Sequence, residues 1–400
     1  MNLKKSIESH ILLIIERLQK AGFETYLVGG AVRDIMLGRP PKDYDISTSA
    51  SPEEVQAVFG RRYARIIGKR FRIVHVYHGA EIIEVSTFRK APKVQEDDKI
   101  LPFDNEFGSA VEDAWRRDFT VNAIFYDPGK DEILDYTGTG ISDLEAGIVR
   151  IVGEPAERFE EDPVRLLRAL KLVGQYGFTI EENTEQALYS ALPLITCCSI
   201  SRLTLELDKI IGKPYASGIL QAFHKFGLLA YYLPFLNESW GSEECAYMLE
   251  LTEERNRRLK QGLYRNSISL AIAAMALPFV EKELAGEHSA TDWRGWKYYY
   301  GIEKDIRKIV GMVFTPYHFP KRIIGSAVGM IMLQPSMLNK ARKDNVLLNR
   351  RYKHARELMT LQNNLRFNDD SLEEFWPTHG KRGGKKNKPP ARRESGIKRK

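Results

Sequence analysis

Apolar and polar positions follow two different periods along this chain. Up to about residue 150, short apolar runs alternate with turns rich in Gly, Pro and charged residues, which is typical of strands joined to short helices. From Glu160 to about residue 362, apolar positions recur at helical spacing. The pattern therefore predicts an α+β fold with a sheet in its first part and helices in its second.

The first part divides into separate elements. A helix is predicted over 5–21, because its apolar positions recur at helical spacing and Gly22 ends it. The next predicted elements are a strand over 26–28, a Gly29-Gly30 turn, a helix over 31–37, a strand carrying Asp43 and Asp45, a helix over 51–59 that opens with a capping box, and strands within 64–88 joined at 78–80. Residues 91–115 have no clear period and predict a loop.

The second part is predicted to be an array of helices without a fixed repeat length. They span 201–212, 215–229, 243–262, 266–284, 291–313, 320–337 and 339–362. Trp293, Trp296 and Tyr300 share one face of the fifth helix and predict a buried stripe, with base stacking as the alternative. The last helix is basic and forms either an RNA-backbone surface or a solvated face.

Two carboxylates lie at the centre of the first part. Asp43 and Asp45 stand at i and i+2 of a predicted strand, so both side chains project from one face while Tyr44 points to the other. Carboxylates this close repel each other unless a cation lies between them, and Mg²⁺ prefers oxygen ligands that it shares with substrate phosphates. The pair therefore predicts a magnesium site, with a solvated turn as the alternative.

A segment suited to phosphate binding precedes this pair. Gly29 and Gly30 allow close approach of the backbone, the next helix begins with free N–H groups, and Arg33 adds a fixed positive charge. Together with the Asp pair, this order of residues predicts a nucleoside triphosphate bound as its metal complex.

Basic charge is concentrated at the carboxyl end. The 400 residues carry a formal net charge of +7, yet residues 381–400 contain ten Lys/Arg and one Glu, which leaves 50 basic against 52 acidic residues elsewhere. This segment predicts a disordered tail that binds phosphates. The longest apolar run, 269–280, is too short to span a bilayer, and the three cysteines lack metal-ligand spacing. With no convincing signal peptide, we expect a cytoplasmic protein with no membrane partner.

The motifs of this chain resemble those of a known family. GGAVRD (29–34), DYDIST (43–48), RRDFTVNAIFYD (116–127), DYTGTGISDLEAGIVRIVG (135–153) and RFEEDPVRLLRALK (158–171) are similar to motifs of class II CCA-adding enzymes and bacterial poly(A) polymerases, a branch of the DNA polymerase β nucleotidyltransferase superfamily. The resemblance covers about residues 20–230. It implies a polymerase β-like head with a mixed sheet over 1–140, followed by an all-helical neck and body. The neck over 141–230 is expected to recognise the nucleotide and to contain RNA-binding helices, the body over 231–375 to bind RNA, and the basic tail over 376–400 to be disordered.

The resemblance also implies roles for single residues near the Asp pair. Arg117 is expected to contact the triphosphate or the base, and Asp118 to be a third catalytic carboxylate beside Asp43 and Asp45. An Arg-Asp pair that only caps the following helix is the alternative. Glu84 is a further candidate for the third carboxylate, since it interrupts an apolar strand, or else it is an outward-facing polar residue.

A third group of candidates begins the helical part. Asp162, Arg165 and Arg168 lie at i, i+3 and i+6 along one side of a predicted helix, where an acceptor and guanidinium donors can bond a base edge. In the family that the chain resembles, this triplet reads the incoming nucleotide; a surface salt bridge is the alternative. Lys171 departs from the frequent arginine of that family, which puts a planar bidentate contact there in doubt.

Together these features predict template-independent addition of AMP from ATP to RNA 3′ ends, with two Mg²⁺ ions at Asp43 and Asp45. Segment 66–76, IIGKRFRIVHV, resembles the part that distinguishes bacterial poly(A) polymerases from CCA-adding enzymes, and the basic tail is similar to theirs. RNA is expected to bind the helical body and the tail, and protein partners in RNA decay stay unidentified. A tRNA CCA-adding enzyme and a non-catalytic RNA-binding protein of the same fold are the alternatives.

Overall fold

The computed structural model describes residues 3–68, 72–90, 107–285 and 295–380. These residues form two compact units. The first unit ends at Glu206 and also includes Gly218–Asn237, whereas the second contains Leu207–Ser217 and the described residues from Glu238 onward. Every candidate residue for nucleotide chemistry lies in the first unit.

Nine strands occur within the described residues. They are β1 (Thr25–Val28), β2 (Asp45–Thr48), β3 (Ala64–Ile67), β4 (Ile73–His78), β5 (Glu81–Thr87), β6 (Ile124–Asp127), β7 (Glu132–Asp135), β8 (Ile148–Val149) and β9 (Thr179–Ile180). Seven of them form a mixed sheet in the order β3-β4-β5-β2-β1-β6-β7, while β8 and β9 pair separately. In the large sheet β2 and β5 are parallel, and the other neighbours are antiparallel.

The helices of the first unit surround and follow this sheet. They are α1 (Ser9–Lys20), α2 (Gly30–Met36), α3 (Pro52–Phe59), α4 (Ala110–Trp115), α5 (Gly140–Ala146), α6 (Pro155–Glu161), α7 (Val164–Tyr176), α8 (Glu182–Ala191), α9 (Ile200–Ile211), α10 (Ala216–Lys225), α11 (Leu229–Tyr232) and α12 (Pro234–Glu238), with 3-10 turns at Leu3–Ser6, Thr120–Asn122 and Leu192–Cys197. The last residues of α9 and α12 and the first of α10 belong to the second unit.

The second unit is built from helices. They are α13 (Glu243–Lys260), α14 (Ile268–Ala285), α15 (Ile302–Val313), α16 (Lys321–Ile331), α17 (Gln334–Leu338), α18 (Lys343–Leu347), α19 (Tyr352–Gln362) and α20 (Asp370–Phe375), with a π-helical turn at Asn363–Phe367. No single helix in the described ranges is long and apolar enough to cross a membrane; one bent pair, Glu182–Cys197 with Ile200–Ile211, has the required length and composition when taken together.

One face of the large sheet is covered only in part. Tyr26 and Val28 alternate along β1 and project to this face, where they join Phe125 of β6. Ala110 and Ala114 lie one turn apart on α4 and pack against these rings, because their small side chains let the helix approach closely. The same face continues beyond the core onto β2 and β5, where its residues become polar.

The α+β prediction is confirmed, and several boundaries are close. The strand predicted at 26–28 is β1, the helix after the Gly-Gly turn is α2, and β4 and β5 form the predicted hairpin. Both bonds of the capping box are present, with the Ser51 hydroxyl accepting from Glu54 N and the Glu54 carboxylate accepting from Ser51 N. Lys69, Arg70 and Phe71 of the family-distinguishing segment and the whole tail after residue 380 lie outside the described residues.

Two predictions near the sheet are wrong. Asp43 does not belong to a strand, because β2 begins at Asp45; Pro40 and Pro41 keep the preceding chain in a loop, since proline has no N–H for a ladder. Residues 107–115 are not a loop throughout, because α4 occupies Ala110–Trp115. Its signal in the sequence was the capping box formed by Ser109 and Glu112.

Three predictions in the helical part also need correction. The helix predicted over 291–313 begins only at Ile302, after Gly295 and Gly301 at positive φ, so Trp296 is buried and Tyr300 fully exposed rather than sharing a stripe. Trp293 lies outside the described residues. The helix predicted over 339–362 is divided into α18 and α19. The neck is not entirely helical, because β8 and β9 pair within it.

Candidate active site

The register of the sheet brings two carboxylates together. Asp45 opens β2, and its neighbour across the parallel pair is Glu84 of β5. Paired residues of adjacent strands project from the same face, so both carboxylates stand on the partly covered face described above. Two residues further along, the hydroxyls of Ser47 and Ser86 lie 3.1 Å apart, as this register requires.

A cavity of about 220 Å³ adjoins these carboxylates. The acidic part of its lining is Asp45 and Glu84 on the sheet. The basic part is formed by Arg89, Arg116 and Arg117, of which the last two follow directly after α4. The cavity thus has carboxylate oxygens on the sheet and guanidinium groups from the chain segments around it, which suits a ligand that carries both metal and phosphate.

The pKa of the Asp45 carboxylate is raised above its ordinary value. Loss of hydration among the neighbouring atoms raises its pKa; the Arg117 guanidinium opposes this, while the nearby Glu84 and Asp43 carboxylates raise it further. The side chain still reaches solvent at the cavity. Acidic groups that crowd one another in this way are stabilised by a bound cation.

Asp43 lies beside this site in the loop before β2. Its side chain is 75% exposed and lies 3.5 Å from the Lys42 ammonium. Its effect on the pKa of Asp45 places its charge close to that residue. Between the two, partial burial and the carboxylates of Glu8 and Glu81 raise the pKa of Tyr44, so its phenol has a different acidic surrounding from the Asp pair.

The chemistry of these donors fits a hard divalent cation, because all three offer carboxylate oxygens. Asp43, Asp45 and Glu84 do not converge as closely as another group in the described part of the chain. In that other group, ligand atoms of Glu8, His10 and Glu81 all lie within 4.8 Å of one another. The His10 ring there pairs with both carboxylates, at 3.5 Å to Glu8 and 2.9 Å to Glu81.

Arg117 is held in place over the sheet. Its guanidinium donates to the Asp113 carboxylate at 2.9 Å and to the Ser47 hydroxyl at 3.1 Å, and it lies 5.0 Å from the centre of the Phe125 ring. Gly29 is required by this arrangement, because a Cβ there would lie 3.2 Å from Arg117 Nη1 and the residue has a φ of +70°. The Gly-Gly turn therefore makes room for an arginine.

Asp113 was missed by the sequence reasoning. It is 2% exposed and accepts bonds from both Arg116 and Arg117. The backbone N–H of Arg89 also donates to it, at 3.3 Å. One buried carboxylate thus contacts all three arginines that line the cavity. The sequence did contain an indication of this contact, because Asp113 lies three residues before Arg116 and four before Arg117, on a helix with a capping box.

Arg33 is buried in a cluster of its own. Its guanidinium donates to the Asp34 carboxylate at 2.8 Å, to the Asn122 side-chain oxygen at 2.6 Å and to the Tyr176 hydroxyl at 2.8 Å. It also lies 4.7 Å from the centre of the Tyr176 ring. The charge expected near the phosphates is therefore engaged by protein groups at the junction of α2 with α7.

Asp118 is not part of the cavity lining. Its carboxylate accepts from the Phe119 N–H at 2.9 Å and the Asn122 side-chain amide at 3.1 Å, and it lies 3.6 Å from Arg168. The Thr120–Asn122 turn has Phe119 as its N-cap and no side-chain cap, so the bond from the Phe119 N–H is not the helix cap considered in the sequence. The contact with Arg168 joins Asp118 to α7. In this structure Glu84, rather than Asp118, adjoins Asp45.

The base-reading candidates meet where α6 ends and α7 begins. Asp162 accepts from the Val164 N–H at 3.1 Å and pairs with Arg202 at 2.8 Å. Arg165 lies 3.0 Å from the Glu161 carboxylate, a residue that sequence reasoning did not single out. The two candidates thus stand side by side, each with a protein partner in place of a base.

The chain matches two family descriptions and several known proteins. The Poly A polymerase head domain matches residues 25–150, and the probable RNA and SrmB-binding site of polymerase A matches residues 177–239. Poly(A) polymerase I of Salmonella typhi is 30% identical over 392 residues, which cover 93% of this chain and 82% of that protein. Poly(A) polymerase I of Haemophilus influenzae is 36% identical over 70% of this chain, and the match spans only 64% of that protein's length.

CCA-adding enzymes match as well. That of Geobacillus thermodenitrificans is 38% identical over 284 residues, covering 70% of this chain and 69% of the enzyme. The crystal structure of the Bacillus stearothermophilus CCA-adding enzyme in complex with CTP aligns with a TM-score of 0.63 and 26% identity, over 92% of this chain and 83% of that one. The fold and the order of its parts are therefore shared with proteins of two nucleotide-adding specificities.

Proposed function

Because the chain belongs to the nucleotidyltransferase family of bacterial poly(A) polymerases and CCA-adding enzymes, we propose that it adds AMP from ATP to RNA 3′ ends without a template, in a metal-dependent reaction in the cytoplasm. The single observation that carries this proposal is the pairing of Asp45 with Glu84 at a cavity whose other side is formed by arginines. Carboxylates and guanidinium groups facing one cavity are what a metal–triphosphate needs.

The acidic side of the cavity is proposed to hold Mg²⁺ through Asp45 and Asp43, with Glu84 as the third carboxylate in preference to Asp118. Burial, and to a smaller extent the Glu84 and Asp43 carboxylates, raise the pKa of Asp45, and a cation bound there would stabilise its charged form. When bound, Mg²⁺ supplies neutralisation of the phosphate charge and acidifies the RNA 3′-hydroxyl. Asp45 and Asp43 then need only be deprotonated and correctly placed, so no protein nucleophile takes part.

The basic side of the cavity is proposed to bind the triphosphate. Arg117 is fixed by Asp113 and Ser47, and such a preset guanidinium stabilises phosphate charge without reorganising during the reaction. Arg116 shares the same buried partner. Gly29 permits this placement of Arg117. Arg33 lies close to Gly30 and is held by Asn122, so it stabilises the Gly-Gly turn.

Base selection is proposed to occur at the start of α7. Asp162 offers acceptor oxygens and Arg165 offers donors to the edge of the incoming base, and Arg168 supports Asp118. Asp162 pairs with Arg202 and Arg165 pairs with Glu161, so both groups already have polar partners that a base can replace. A base that matches both Asp162 and Arg165 replaces their hydrogen bonds to protein groups with hydrogen bonds to its own edge, whereas a wrong base leaves polar atoms without partners.

One feature of the sequence favours polyadenylation over CCA addition. Coverage by relatives does not separate the two activities, because a poly(A) polymerase I matches over 93% of the chain and a solved CCA-adding enzyme aligns over 92%. The basic segment 381–400 offers ten cationic side chains for phosphates of any RNA, which polyadenylation of varied transcripts requires and recognition of a single tRNA shape does not.

The experiment that tests this proposal is incorporation of each single nucleotide into two RNAs. The purified chain with Mg²⁺ is given a generic RNA with a free 3′ end, or a tRNA lacking its CCA end, with ATP, CTP, GTP or UTP in turn. We expect long additions of AMP to both RNAs. Addition of CMP to the tRNA that stops after a few residues would replace polyadenylation by CCA addition, and no transfer of any nucleotide would refute the enzymatic proposal.

A further inference from the structure

Arg158 forms four hydrogen bonds beside the candidate active site, although it does not line the cavity. Its side chain is 11% exposed and comes from α6. Nη2 donates to the carbonyl oxygens of Arg116 and Arg117, at 2.7 and 2.8 Å, and Nε donates to the carbonyl oxygen of Val152 at 3.1 Å. The planar guanidinium thus fixes the backbone that carries both phosphate-side arginines.

The remaining nitrogen of Arg158 faces the base-reading residues. Nη1 donates to Glu161 Oε2 at 2.6 Å, and the same oxygen lies 3.0 Å from Nη1 of Arg165. Arg165 also donates to the backbone carbonyl of Arg158. One carboxylate oxygen therefore bridges two guanidinium groups, of which one leads to the phosphate side of the site and the other to its base side.

Burial of the Arg158 guanidinium costs hydration free energy, which its bonds to fixed acceptors offset. Burial and the neighbouring Arg165 charge lower the pKa of Arg158, and Glu161 opposes that effect only in part. A buried guanidinium that bonds three backbone carbonyls and one carboxylate is a rigid strut, because nearly all its N–H groups are used. Lysine at this place would keep the charge but not the fork of donors.

We infer that Arg158 is a positioning residue that couples base recognition to triphosphate placement through Glu161, and this inference rests on the proposed nucleotidyl transfer. When Arg165 contacts a matching base, its bond to Glu161 changes. Glu161 also accepts from Arg158, so the change alters how Arg158 holds the backbone carbonyls of Arg116 and Arg117. Selection of the nucleotide is then enforced at the phosphates as well as at the base edge.

The test compares nucleotides rather than total activity. For Arg158→Met we expect kcat/KM for the preferred nucleotide to fall about a hundredfold, since small misplacements of reacting groups have effects of this size. The ratio of kcat/KM between the preferred and the next-best nucleotide should fall about tenfold. The Mg²⁺ concentration for half-maximal rate should not change, because Arg158 does not contact Asp43, Asp45 or Glu84. Arg158→Lys should recover part of the rate and less of the ratio.

Two further variants complete the test. Glu161→Gln, at a side chain 46% exposed, should fold normally and lower the same ratio, and combined with Arg158→Met it should add little further loss. Arg17→Met is the matched control, because Arg17 also donates to a backbone carbonyl, that of Val58 at 2.6 Å, but at α1. Arg17→Met should leave the ratio unchanged.

The outcomes separate this inference from the proposed function. A folded Arg158→Met that loses rate equally for every nucleotide would overturn the coupling and leave a structural role. If Arg158→Met does not fold, an unchanged ratio in Glu161→Gln would overturn it equally. If the wild-type chain transfers no nucleotide, the proposed function fails, and the relative affinities of ATP and CTP in the same variants, measured by calorimetry, still decide whether Arg158 affects base selection.

Discussion

The carboxylates and the guanidinium groups around the cavity are held in opposite ways. Asp43 is 75% exposed beside one flexible lysine, and Asp45 has a raised pKa next to Glu84. Arg117, in contrast, is fixed by the buried Asp113 and by Ser47. The acidic side is left with negative charge that a cation can neutralise, whereas the basic side is preset before any phosphate arrives. The following experiments test this difference from each side.

Removal of an acidic ligand should have the largest effect on activity. Asp43→Ala is expected to lower incorporation by about a thousandfold or more, because a metal ligand has no substitute in the site. Its melting temperature should stay close to that of the wild type, since the side chain is exposed and its ion pair among the described residues is with Lys42 at 3.5 Å. Gel analysis of labelled RNA and a thermal melt give both quantities.

Lys42→Ala is the matched control for this variant, because it deletes the same exposed ion pair from the other partner. It should retain activity within a few-fold of wild type. An Asp43→Ala protein that incorporates at the full rate would eliminate the proposed metal role.

Removal of the buried charge under the arginines should affect both activity and stability. Asp113→Asn leaves Arg116 and Arg117 without their shared carboxylate, so we expect a loss of about 2 kcal/mol in the free energy of unfolding and a fall of roughly a hundredfold in kcat/KM. Urea denaturation and steady-state kinetics measure these changes.

Asp143→Asn provides the comparison, since Asp143 is also buried and pairs with an arginine, Arg150, at 3.0 Å, but does not line the cavity. It should lose similar stability and keep its kcat/KM within a few-fold. Equal losses of activity in the two variants would mean that Asp113 acts only through stability.

The ionised Asp45 carboxylate should lower the free energy of unfolding when no metal ion is bound beside it. The pKa of Asp45 is raised in the folded chain above the ordinary 3.8, so the folded state binds a proton more readily than the unfolded state and loses stability as pH rises through that window. Asp45→Asn has no ionisable group at this position and so lacks this pH dependence. In metal-free buffer the variant should melt at a higher temperature than the wild type at pH 7, and the difference should vanish below pH 3.8. A variant less stable at neutral pH would contradict the raised pKa of Asp45 and the cost of its charge in the folded state.

The basic segment 381–400 should have the smallest effect on the chemistry. Its deletion removes ten Lys/Arg, so RNA binding should weaken at low salt and the slope of log affinity against log salt should become shallower. Choice of nucleotide should not change, because the base-reading residues remain. Filter binding at several salt concentrations tests this prediction, and an unchanged affinity at low salt would exclude the tail from RNA binding.

Much of the acidic side could be predicted from the sequence, because it depends on local order. Asp45 and the Gly-Gly turn lie within one strand–turn–helix–strand segment, and its elements follow from spacing and proline content. Glu84 was left between two roles, since its place beside Asp45 depends on a parallel pairing between strands that are 39 positions apart at these residues. Sequence periodicity does not fix such a register.

The basic side was predicted less well, because it depends on long-range contacts. Arg117 was identified, but not the buried Asp113 that holds it or Arg158, which reaches its backbone from α6. Arg33 was expected to face phosphate, yet it bonds Tyr176, a residue that lies far along the chain on α7. A guanidinium offers donors in many directions, and only the fold decides which acceptors it finds.

Binding of Mn²⁺, followed by electron paramagnetic resonance in the presence of ATP, tests most directly whether the carboxylates of the sheet hold the metal–triphosphate. Free Mn²⁺ loses signal when it binds, so wild type, Asp45→Ala, Glu84→Gln and Asp118→Asn can be titrated side by side. We predict tight ATP-dependent binding by the wild type, loss in Asp45→Ala, clear weakening in Glu84→Gln and little change in Asp118→Asn. Undiminished binding by Asp45→Ala would contradict the assignment of the site.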